Sequence, residues 1–438
     1  MSRATEALID DAARIGQTLC DTAYWHEERC NWVGRSSREA TGTASSFQIT
    51  PTVTALGPEL YGGSAGIALF LAQLQQLRPE SRTLDTARGA ARHALRKSDD
   101  LPPQVARSVH SGPIGVAYAA VRTGQLAGDA SLVEQGLHLA SRTVSGMNGD
   151  GLLDVISGSA GVIAPLLTLS RLPGAESLRT TAMAHADELA SAATKAEGTW
   201  CWNNERAVGA GVGPTPLCGF AHGASGMGLA LIEAGAACGR ADWVDGGLAA
   251  FAYEDRLFDA EHQNWPDLRE LAAVASATTG VSDASVPPRL SARTASFMIA
   301  WCHGAAGIGL ARLRALQLLP ERRSQLLEGV ERAVAATMTR LARLPPESDA
   351  SLCHGRGGLA ETLVFAATVL GDGRHRRTAA QMWTRLLKAR GSDAEWPSGV
   401  PSGRGNPSLM LGLAGVGYSM LRAAVPDRVP STLMMASS

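Results

Sequence analysis

The sequence has few charged residues, few cysteines and no long apolar run. Only 18% of the 438 residues are charged, against the about 25% usual in soluble proteins, and the net charge at pH 7 is −1. A nearly neutral chain lacks the basic surface that binds nucleic acid or anionic membranes. No apolar run reaches the roughly 18 residues that span a bilayer, and the polar, acidic residues 1–11 lack the apolar core of a signal peptide. We therefore expect a cytoplasmic protein without stable membrane insertion, whose seven cysteines are reduced.

The chain is rich in glycine, and its 48 glycines include seven Gly-x-x-Gly frames. In chain order the frames are Gly63/Gly66, Gly112/Gly115, Gly158/Gly161, Gly223/Gly226, Gly304/Gly307, Gly355/Gly358 and Gly412/Gly415. An apolar helical run follows each frame; after the first, Ile67, Phe70, Leu71 and Leu74 occupy positions i, i+3, i+4 and i+7. The first glycines lie 49, 46, 65, 81, 51 and 57 residues apart, which leaves space in each unit for a second helix, for example over residues 132–143 or 325–343.

These repeats predict an all-α fold, an α/α toroid of inner and outer helices built from the seven units. Glycine suits the start of each inner helix because it removes the side chain where backbones approach closely and permits unusual dihedral angles in the preceding turn. Residues just before each frame would then face one common centre. An open solenoid fits the same repeats.

The repeats indicate a single domain over residues 1–438. The length alone is typical of about three domains, but no low-complexity linker separates the units. We expect an N-terminal helix and loop over 1–56, with the helix at 5–28, then seven helical repeats over 57–425 and a tail over 426–438.

Two frames carry the same Cys-His-Gly segment, Cys302-His303-Gly304 and Cys353-His354-Gly355. Two thiols and two imidazoles in equivalent positions of equivalent units predict a shared zinc site. The alternative is a pair of buried thiols that pack as small apolar groups. Cys20, Cys30, Cys201 and Cys218 have no partner at ligand spacing and are interpreted as structural.

Other frames place different side chains at the same points. Tyr61 and His110 stand where the later frames carry cysteine, and a lone histidine such as His110 is more often a hydrogen-bonded core residue than a ligand. His222 directly precedes its glycine without a neighbouring cysteine, as an acid/base requires. Asp154 lies one turn before the third frame, where it can cap a helix or orient a histidine across the ring.

The longest interval contains an insert with Tyr253-Glu-Asp-Arg-Leu-Phe258 and Asn264-Trp-Pro-Asp-Leu-Arg269. Residues 272–292, rich in Ser, Thr, Ala and Pro, are predicted to form a surface loop. Long loops beside a site often contact substrate, and a solvated insertion explains the composition equally well.

Together these motifs resemble the lanthionine synthetase C-like cyclases. The insert motifs, with Asn406-Pro-Ser-Leu-Met410 and Gly412-Leu-Ala-Gly-Val-Gly-Tyr418, are most similar to the cyclase half of class II lanthipeptide synthetases, and the resemblance spans nearly the whole chain. It implies an α/α toroid that holds one zinc ion through Cys302, Cys353 and His354, with His222 and Asp154 near the metal.

The sequence also departs from that family. Some members carry an arginine four residues before the first zinc cysteine, where this chain has Met298, with Arg293 the nearest arginine. His303 stands where some members have a tyrosine, so the roles of those two groups do not transfer. His303, Tyr61 and Arg356 are candidates for contact with the substrate or with the metal ligands. The chain has no length for a dehydratase half, so we expect dehydration to come from a separate polypeptide.

The expected activity is that of a zinc-dependent peptide cyclase. It would add cysteine thiols of a precursor peptide, dehydrated on Ser and Thr, to dehydroalanine or dehydrobutyrine, which gives (methyl)lanthionine thioether rings. A free thiol has a pKa near 8.5 and reacts as the thiolate, and three protein ligands leave the fourth zinc position for the substrate sulfur. Two thiolates, one neutral imidazole and a substrate thiolate around Zn²⁺ sum to −1, which keeps the sulfur reactive. His222, oriented by Asp154, is the candidate that supplies the proton.

Three other functions remain open from the sequence. His303 could complete a four-ligand structural zinc site with no open position. The same scaffold could add glutathione to dehydroamino acids, as some relatives of the family do. It could also bind a peptide for a partner enzyme. Carbohydrate hydrolysis is disfavoured because the central positions hold Cys and His rather than a pair of carboxylates.

Overall fold

The computed structural model describes residues 3–38, 50–147, 151–203, 216–269, 296–390, 395–400 and 405–435. Fourteen α-helices lie in these ranges. They are α1 (Arg3–Asp21), α2 (Ser64–Gln75), α3 (Ser81–Lys97), α4 (Pro113–Ala127), α5 (Ala130–Ser145), α6 (Ser159–Leu169), α7 (Ser177–Ala192), α8 (Ala224–Cys238), α9 (Ala241–Asp255), α10 (Ala305–Leu318), α11 (Arg323–Arg343), α12 (Arg356–Leu370), α13 (Gly373–Arg390) and α14 (Leu413–Ala424). None of them is both long enough and apolar enough to cross a membrane.

All seven frames start a helix, as the sequence predicts. The first glycine of each frame is the residue directly before α2, α4, α6, α8, α10, α12 or α14. These helices are buried on nearly every side; in α2 every residue from Ser64 to Leu74 is buried. A helix that is buried all round belongs to an inner layer.

The seven inner helices form a closed ring. Each contacts the next in chain order, and α14 contacts α2. The predicted α/α toroid is therefore confirmed, and the open solenoid, whose ends do not meet, is excluded.

The outer helices α3, α5, α7, α9, α11 and α13 each pack against the inner helix that precedes them. Their apolar residues lie on one side, as in α3, where Thr83, Ala87, Ala91 and Ala94 are buried. The second helices expected near 132–143 and 325–343 are α5 and α11. The seventh inner helix, α14, receives its outer partner from the other end of the chain, because α1 packs on it.

Close backbone approach explains the glycine frames. A Cβ at Gly415 would lie 1.9 Å from the carbonyl oxygen of Leu409 and 3.1 Å from Cγ of Leu352, which belongs to the preceding frame. A Cβ at Gly66 would lie 2.3 Å from the carbonyl oxygen of Leu60 and 2.5 Å from Cβ of Leu409, so the same relation crosses the closure of the ring. The expectation of unusual dihedral angles holds at one frame glycine alone, Gly304, whose φ is +77°.

The residues two positions before each first glycine meet at the centre of the toroid, and we call them the central ring. They are Tyr61, His110, Ile156, Ala221, Cys302, Cys353 and Met410. The backbone N–H of one central-ring residue donates to the backbone carbonyl oxygen of the central-ring residue in the next frame. The donor–acceptor pairs are Ile156–Ala221 (3.3 Å), Ala221–Cys302 (3.1 Å), Cys302–Cys353 (3.3 Å), Cys353–Met410 (3.0 Å), Met410–Tyr61 (3.0 Å) and Tyr61–His110 (2.9 Å). Between the second and third frames a side chain makes the link instead, because the hydroxyl of Ser108 donates to the carbonyl of Ile156 at 2.6 Å.

Within the described ranges, three short antiparallel hairpins accompany the helices, and the sequence did not predict them. They pair β1 (Tyr24–His26) with β2 (Arg29–Asn31), β3 (Val33–Arg38) with β4 (Thr50–Ala55), and β5 (Thr194–Ala196) with β6 (Thr199–Cys201). The first hairpin corrects the helix predicted over 5–28, which ends at Asp21. Aromatic Tyr24 and Trp25 favour a strand, and Glu27 adopts a positive φ of 55° in the turn that reverses the chain.

The last helix is followed by a stretch that packs on the core up to Met435, with Val429 and Leu433 buried. The predicted surface loop at 272–292 and Arg293 lie outside the described residues.

Candidate active site

Three of the predicted ligands come together on one side of the central ring. The sulfur atoms of Cys302 and Cys353 and a ring nitrogen of His354 all lie within 4.8 Å of one another. Frames 5 and 6 supply them, and the hydrogen bond from Cys302 N–H to the Cys353 carbonyl holds the two frames in register. Both cysteines are buried, whereas the His354 side chain is 31% exposed, so the cluster is open on the histidine side.

The two thiols share a hydrogen bond. The Cys353 thiol donates to Cys302, and this hydrogen bond lowers the pKa of Cys302. The same hydrogen bond, together with burial, raises the pKa of Cys353 well above its usual range. The shared hydrogen bond therefore favours the thiolate at Cys302, and burial beside that negative charge disfavours a second thiolate at Cys353.

The His354 ring is held at Nε2 by one hydrogen bond and one nearby carboxylate. Nε2 lies 3.0 Å from the Gly399 carbonyl oxygen, which accepts its proton, and 3.2 Å from Oδ2 of Asp349. Asp349 is itself held by the N–H and hydroxyl of Ser351, at 2.7 and 2.8 Å. Because Nε2 carries the proton that the Gly399 carbonyl accepts, the lone pair is on Nδ1, and a carbonyl with a carboxylate beside the second nitrogen is typical of metal-binding histidines.

The donor set fits zinc. Sulfur ligands at about 2.3 Å and a nitrogen ligand at about 2.0 Å in tetrahedral geometry lie roughly 3.5–3.8 Å from one another. Donor atoms within 4.8 Å of one another satisfy this after small side-chain adjustments. Two thiolates also suit zinc better than the hard cations Mg²⁺ and Ca²⁺, which prefer oxygen.

A histidine–aspartate pair lies on the neighbouring frames. Nδ1 of His222 is 2.9 Å from Oδ2 of Asp154, and Asp154 is fully buried while the His222 side chain is 20% exposed. Oδ1 of Asp154 accepts the N–H of Ser157 at 2.6 Å, so this carboxylate both shapes its own turn and holds the imidazole. Of the two roles considered for Asp154, the helix cap is wrong, because the N-cap residue is Gly158 and no side chain caps this helix, whereas the contact with the imidazole is present.

His303 lies beside the His222–Asp154 pair and is not part of the three-donor cluster. Its ring is 5.8 Å from the His222 ring, centroid to centroid, with 27° between the planes. Burial and the nearby Arg269 guanidinium lower the pKa of His303 to about 3, so the ring is neutral. Arg269 is held by two contacts to Asp267, at 2.9 and 2.6 Å, and also lies 3.7 Å from the sulfur of Met298.

Tyr61 and His110 are the central-ring residues of the first two frames. The Tyr61 hydroxyl donates to the Cys353 sulfur, and burial raises the pKa of Tyr61 well above its usual range, so the phenol keeps its proton. His110 is fully buried, and burial lowers its pKa to about 3. Its imidazole packs against the side-chain rings of Tyr61 and Trp301, at centroid distances of 5.9 and 5.4 Å. His110 therefore lies in the core of the toroid.

The Arg356 side chain points to the connection between α11 and α12. Its Nη2 donates to the carbonyl oxygens of Leu344 (2.9 Å) and Pro345. The structure therefore does not bring this guanidinium to the three-donor cluster.

The remaining cysteines do not join the cluster among the described residues. Burial raises the pKa of Cys30 to about 12 and that of Cys218 well above its usual range, so both remain thiols, in keeping with their structural interpretation.

Sequence reasoning missed Asp349 and Gly399, which hold His354. Asp349 lies five residues before its histidine, outside the Gly-x-x-Gly pattern, and Gly399 acts through its carbonyl group. Neither leaves a motif. For the insert containing Asp267 and Arg269 the sequence left two interpretations open, contact with the site or a solvated insertion, and the structure places these two residues beside His303.

Comparison with known proteins gives one family and one fold. Residues 54–434 match the family model described as lanthionine synthetase C-like protein. The structure is similar to that of nisin cyclase, with a TM-score of 0.53 and 19% sequence identity over 85% of this chain and 93% of that chain. A sugar epimerase from a ruminal bacterium gives a TM-score of 0.47 at 12% identity, covering 97% of this chain and 99% of that chain. None of the curated proteins matches the sequence.

Proposed function

Because this chain belongs to the lanthionine synthetase C-like family, we propose that it is a zinc-dependent peptide cyclase that forms (methyl)lanthionine rings. One observation carries the proposal. The donors Cys302, Cys353 and His354 converge on one side of the central ring, and the His222–Asp154 pair occupies the adjacent frames. A thiol-activating metal site beside a positioned acid/base is what thioether formation by addition requires.

Zinc, when bound, supplies the positive charge that keeps a substrate thiol deprotonated at neutral pH. The residues of the chain prepare for it. Asp349 and the Gly399 carbonyl fix the ring of His354, and the Tyr61 hydroxyl donates to Cys353, which holds this sulfur in place and draws electron density from it. The exposed side of His354 leaves a path for the substrate.

The addition forms one C–S bond and consumes one C=C bond. The cysteine sulfur of the peptide attacks the β-carbon of dehydroalanine or dehydrobutyrine, and the π electrons move to the α-carbon and its carbonyl group. A proton must then reach the α-carbon. The S–H bond of the cysteine, which breaks as the C–S bond forms, supplies this proton. The N–H at Nδ1 of His222 donates a hydrogen bond to Asp154, so Nε2 is the atom that takes up the thiol proton and passes it to the α-carbon. His303, neutral and 5.8 Å from His222, forms the wall beside it.

The substrate of such a reaction is a peptide already dehydrated on Ser or Thr. We propose that a separate dehydratase polypeptide produces it.

The test is to incubate a dehydrated, cysteine-containing peptide with the zinc-loaded protein and then alkylate the remaining thiols. Ring formation leaves the peptide mass unchanged and removes its alkylatable thiol. Cys302→Ala should abolish the reaction and the zinc, whereas His222→Asn should keep the zinc and slow the reaction. Equal consumption of thiol with and without the protein would overturn the proposal.

The same assay distinguishes the other functions. Offered glutathione and a dehydrated peptide without cysteine, a glutathione transferase gives a product heavier by one glutathione. A structural zinc site gives no product, and X-ray absorption spectra remain unchanged when a thiol peptide is added. A scaffold for a partner enzyme keeps a normal product profile with Cys302→Ala and Cys353→Ala.

A further inference from the structure

A cavity lies between the N-terminal and C-terminal parts of the described chain. It has a volume of about 770 Å³, within the range of roughly 300–1,000 Å³ typical of ligand sites. Helix α1, the first two hairpins, the end of α13 and the segments around residues 396 and 407 form its walls, with Ile15, Tyr24, Val33, Arg390, Trp396 and Pro407 among the lining residues.

Apolar side chains are exposed at this cavity. In the described part of the chain, four large apolar residues are strongly exposed: Tyr24, Trp25, Val33 and Val53. Two of them, Tyr24 (69% exposed) and Val33 (44%), line the cavity. Exposed aromatic and apolar groups clustered at a concave surface are typical of a binding site.

One cation at the cavity, Arg390, forms no ion pair with any residue that the structure describes. Its guanidinium stacks on Trp396, 3.9 Å from the ring centroid, and its Nε atom is buried without a hydrogen-bond partner. Of the other charged lining residues, Arg14 pairs with Asp11 and Asp21 pairs with Arg82, and Glu395 adds a carboxylate to the lining that forms no ion pair with Arg390. A half-buried guanidinium of this kind favours a carboxylate, which it can bind with two parallel hydrogen bonds.

Two chain segments connect this cavity to the Cys302–Cys353–His354 cluster. Trp396 lines the cavity, and three residues later the Gly399 carbonyl accepts from His354 at 3.0 Å. Pro407 lines it too, and three residues later the Met410 carbonyl accepts from Cys353 N–H at 3.0 Å. The N–H of Gly399 donates to the Leu411 carbonyl at 2.8 Å and joins the two segments. Three residue steps span at most about 10 Å, so one extended peptide can reach both places.

We propose that this cavity binds a stretch of the precursor peptide, with an acidic side chain on Arg390 and an apolar one against Tyr24 and Trp396, while a cysteine about four residues away reaches the Cys302–Cys353–His354 cluster. The inference rests on the proposed function, because it takes the cysteine-containing peptide as the occupant. A substrate peptide is favoured over a second copy of the chain or a partner enzyme because both connecting segments end at the donors of the cluster.

The experiment uses fluorescein-labelled 12-residue peptides with one cysteine, one leucine and one glutamate four residues before or after the cysteine, and matched peptides with glutamine. They contain no dehydroamino acid, so binding to the zinc-loaded protein is measured by fluorescence anisotropy without reaction. We expect a glutamate peptide to bind about 10-fold more tightly than its glutamine partner. Arg390→Gln should weaken the glutamate peptide by a similar factor and remove the difference, and Arg390→Lys should restore part of it.

Arg376→Gln is the matched control, because Arg376 is exposed on the same helix and does not line the cavity. It should bind both peptides as the wild type does. If the wild type does not distinguish glutamate from glutamine in either position, or if Arg390→Gln still does, the docking proposal is wrong. Ring formation by the same wild-type protein would then leave the cyclase proposal standing. Arg390-dependent binding without any ring formation would contradict the proposed cyclase function and support the docking site.

Discussion

Nδ1 of His222 lies 2.9 Å from Oδ2 of the fully buried Asp154. The two residues come from different frames, 68 positions apart in the chain, and the backbone hydrogen bond from Ile156 to Ala221 brings those frames together. The imidazole therefore has a defined tautomer, with its proton at Nδ1 and its lone pair at Nε2.

Asp154→Asn should slow ring formation by about 10- to 100-fold without loss of zinc. The amide oxygen can still accept the N–H of Ser157, which preserves the turn, but an NH₂ group facing Nδ1 reverses the tautomer of His222. Single-turnover rates and metal content on the same samples check the prediction. An unchanged rate would show that Asp154 serves the turn alone.

Cys302→Ala should remove zinc, because two remaining donors do not hold it. We expect nearly one zinc per chain in the wild type and almost none in the variant, by elemental analysis after gel filtration. Cys238→Ala, at the partly exposed end of α8, is the control and should keep its zinc. Equal zinc in both variants would contradict the three-donor site.

Asp349→Asn should weaken zinc binding by roughly 10- to 100-fold, since it removes the negative charge that lies 3.2 Å from Nε2 of His354. Competition with a chelator measures the affinity. Asp372→Asn, which changes contacts with Arg374 and His375 at the start of α13, should bind zinc normally. An affinity equal to that of the wild type would mean that the Gly399 carbonyl suffices to orient the ring.

Gly415→Ala should destabilise the fold by about 3 kcal/mol or more, because its Cβ would lie 1.9 Å from a backbone oxygen of the closing frame. Gly146→Ala is the comparison, with φ of −95° and its nearest neighbour at 3.6 Å. That variant should stay within about 0.5 kcal/mol of the wild type in urea unfolding. Similar losses in both would remove the packing explanation of the frame.

Glu254 makes the stability depend on pH. Burial raises its pKa to about 7, even though Gly219 N–H, Ser225 N–H and the Ser225 hydroxyl donate to it and Arg312 lies 3.8 Å away. The folded state then keeps a proton that the unfolded state loses above pH about 4.3, so the contribution of Glu254 to stability falls as pH rises from about 4.3 to 7. Relative to Glu254→Gln, the wild type should lose roughly 3 kcal/mol between pH 5 and pH 8. Urea unfolding curves of both proteins test this, and parallel pH profiles would contradict it.

The frames could be read from the sequence because one local requirement, a backbone with no room for a Cβ, recurs seven times before apolar helices. The same repetition placed Cys302, Cys353 and His354 at equivalent points, and equivalent points of a ring are near one another. Asp349 could not be predicted in this way, since its contact with His354 depends on how one loop folds between two frames.

The N-terminal hairpin was missed for a related reason. Residues 24–31 follow an apolar helical pattern, and the pattern alone does not show where the helix ends. The ending is decided by packing, because Trp32 is buried and its indole N–H donates to the carbonyl of Leu19 at 2.8 Å. Sequence periodicity contains no record of that contact.

The pairing of α1 with α14 has a consequence for biosynthesis. Helix α1 is translated long before α14, on which it packs, so the side of α1 that faces α14 stays uncovered until α14 has been synthesised. Ring closure must therefore be a late, long-range event, and the nascent protein has a long interval in which chaperones can bind that helix.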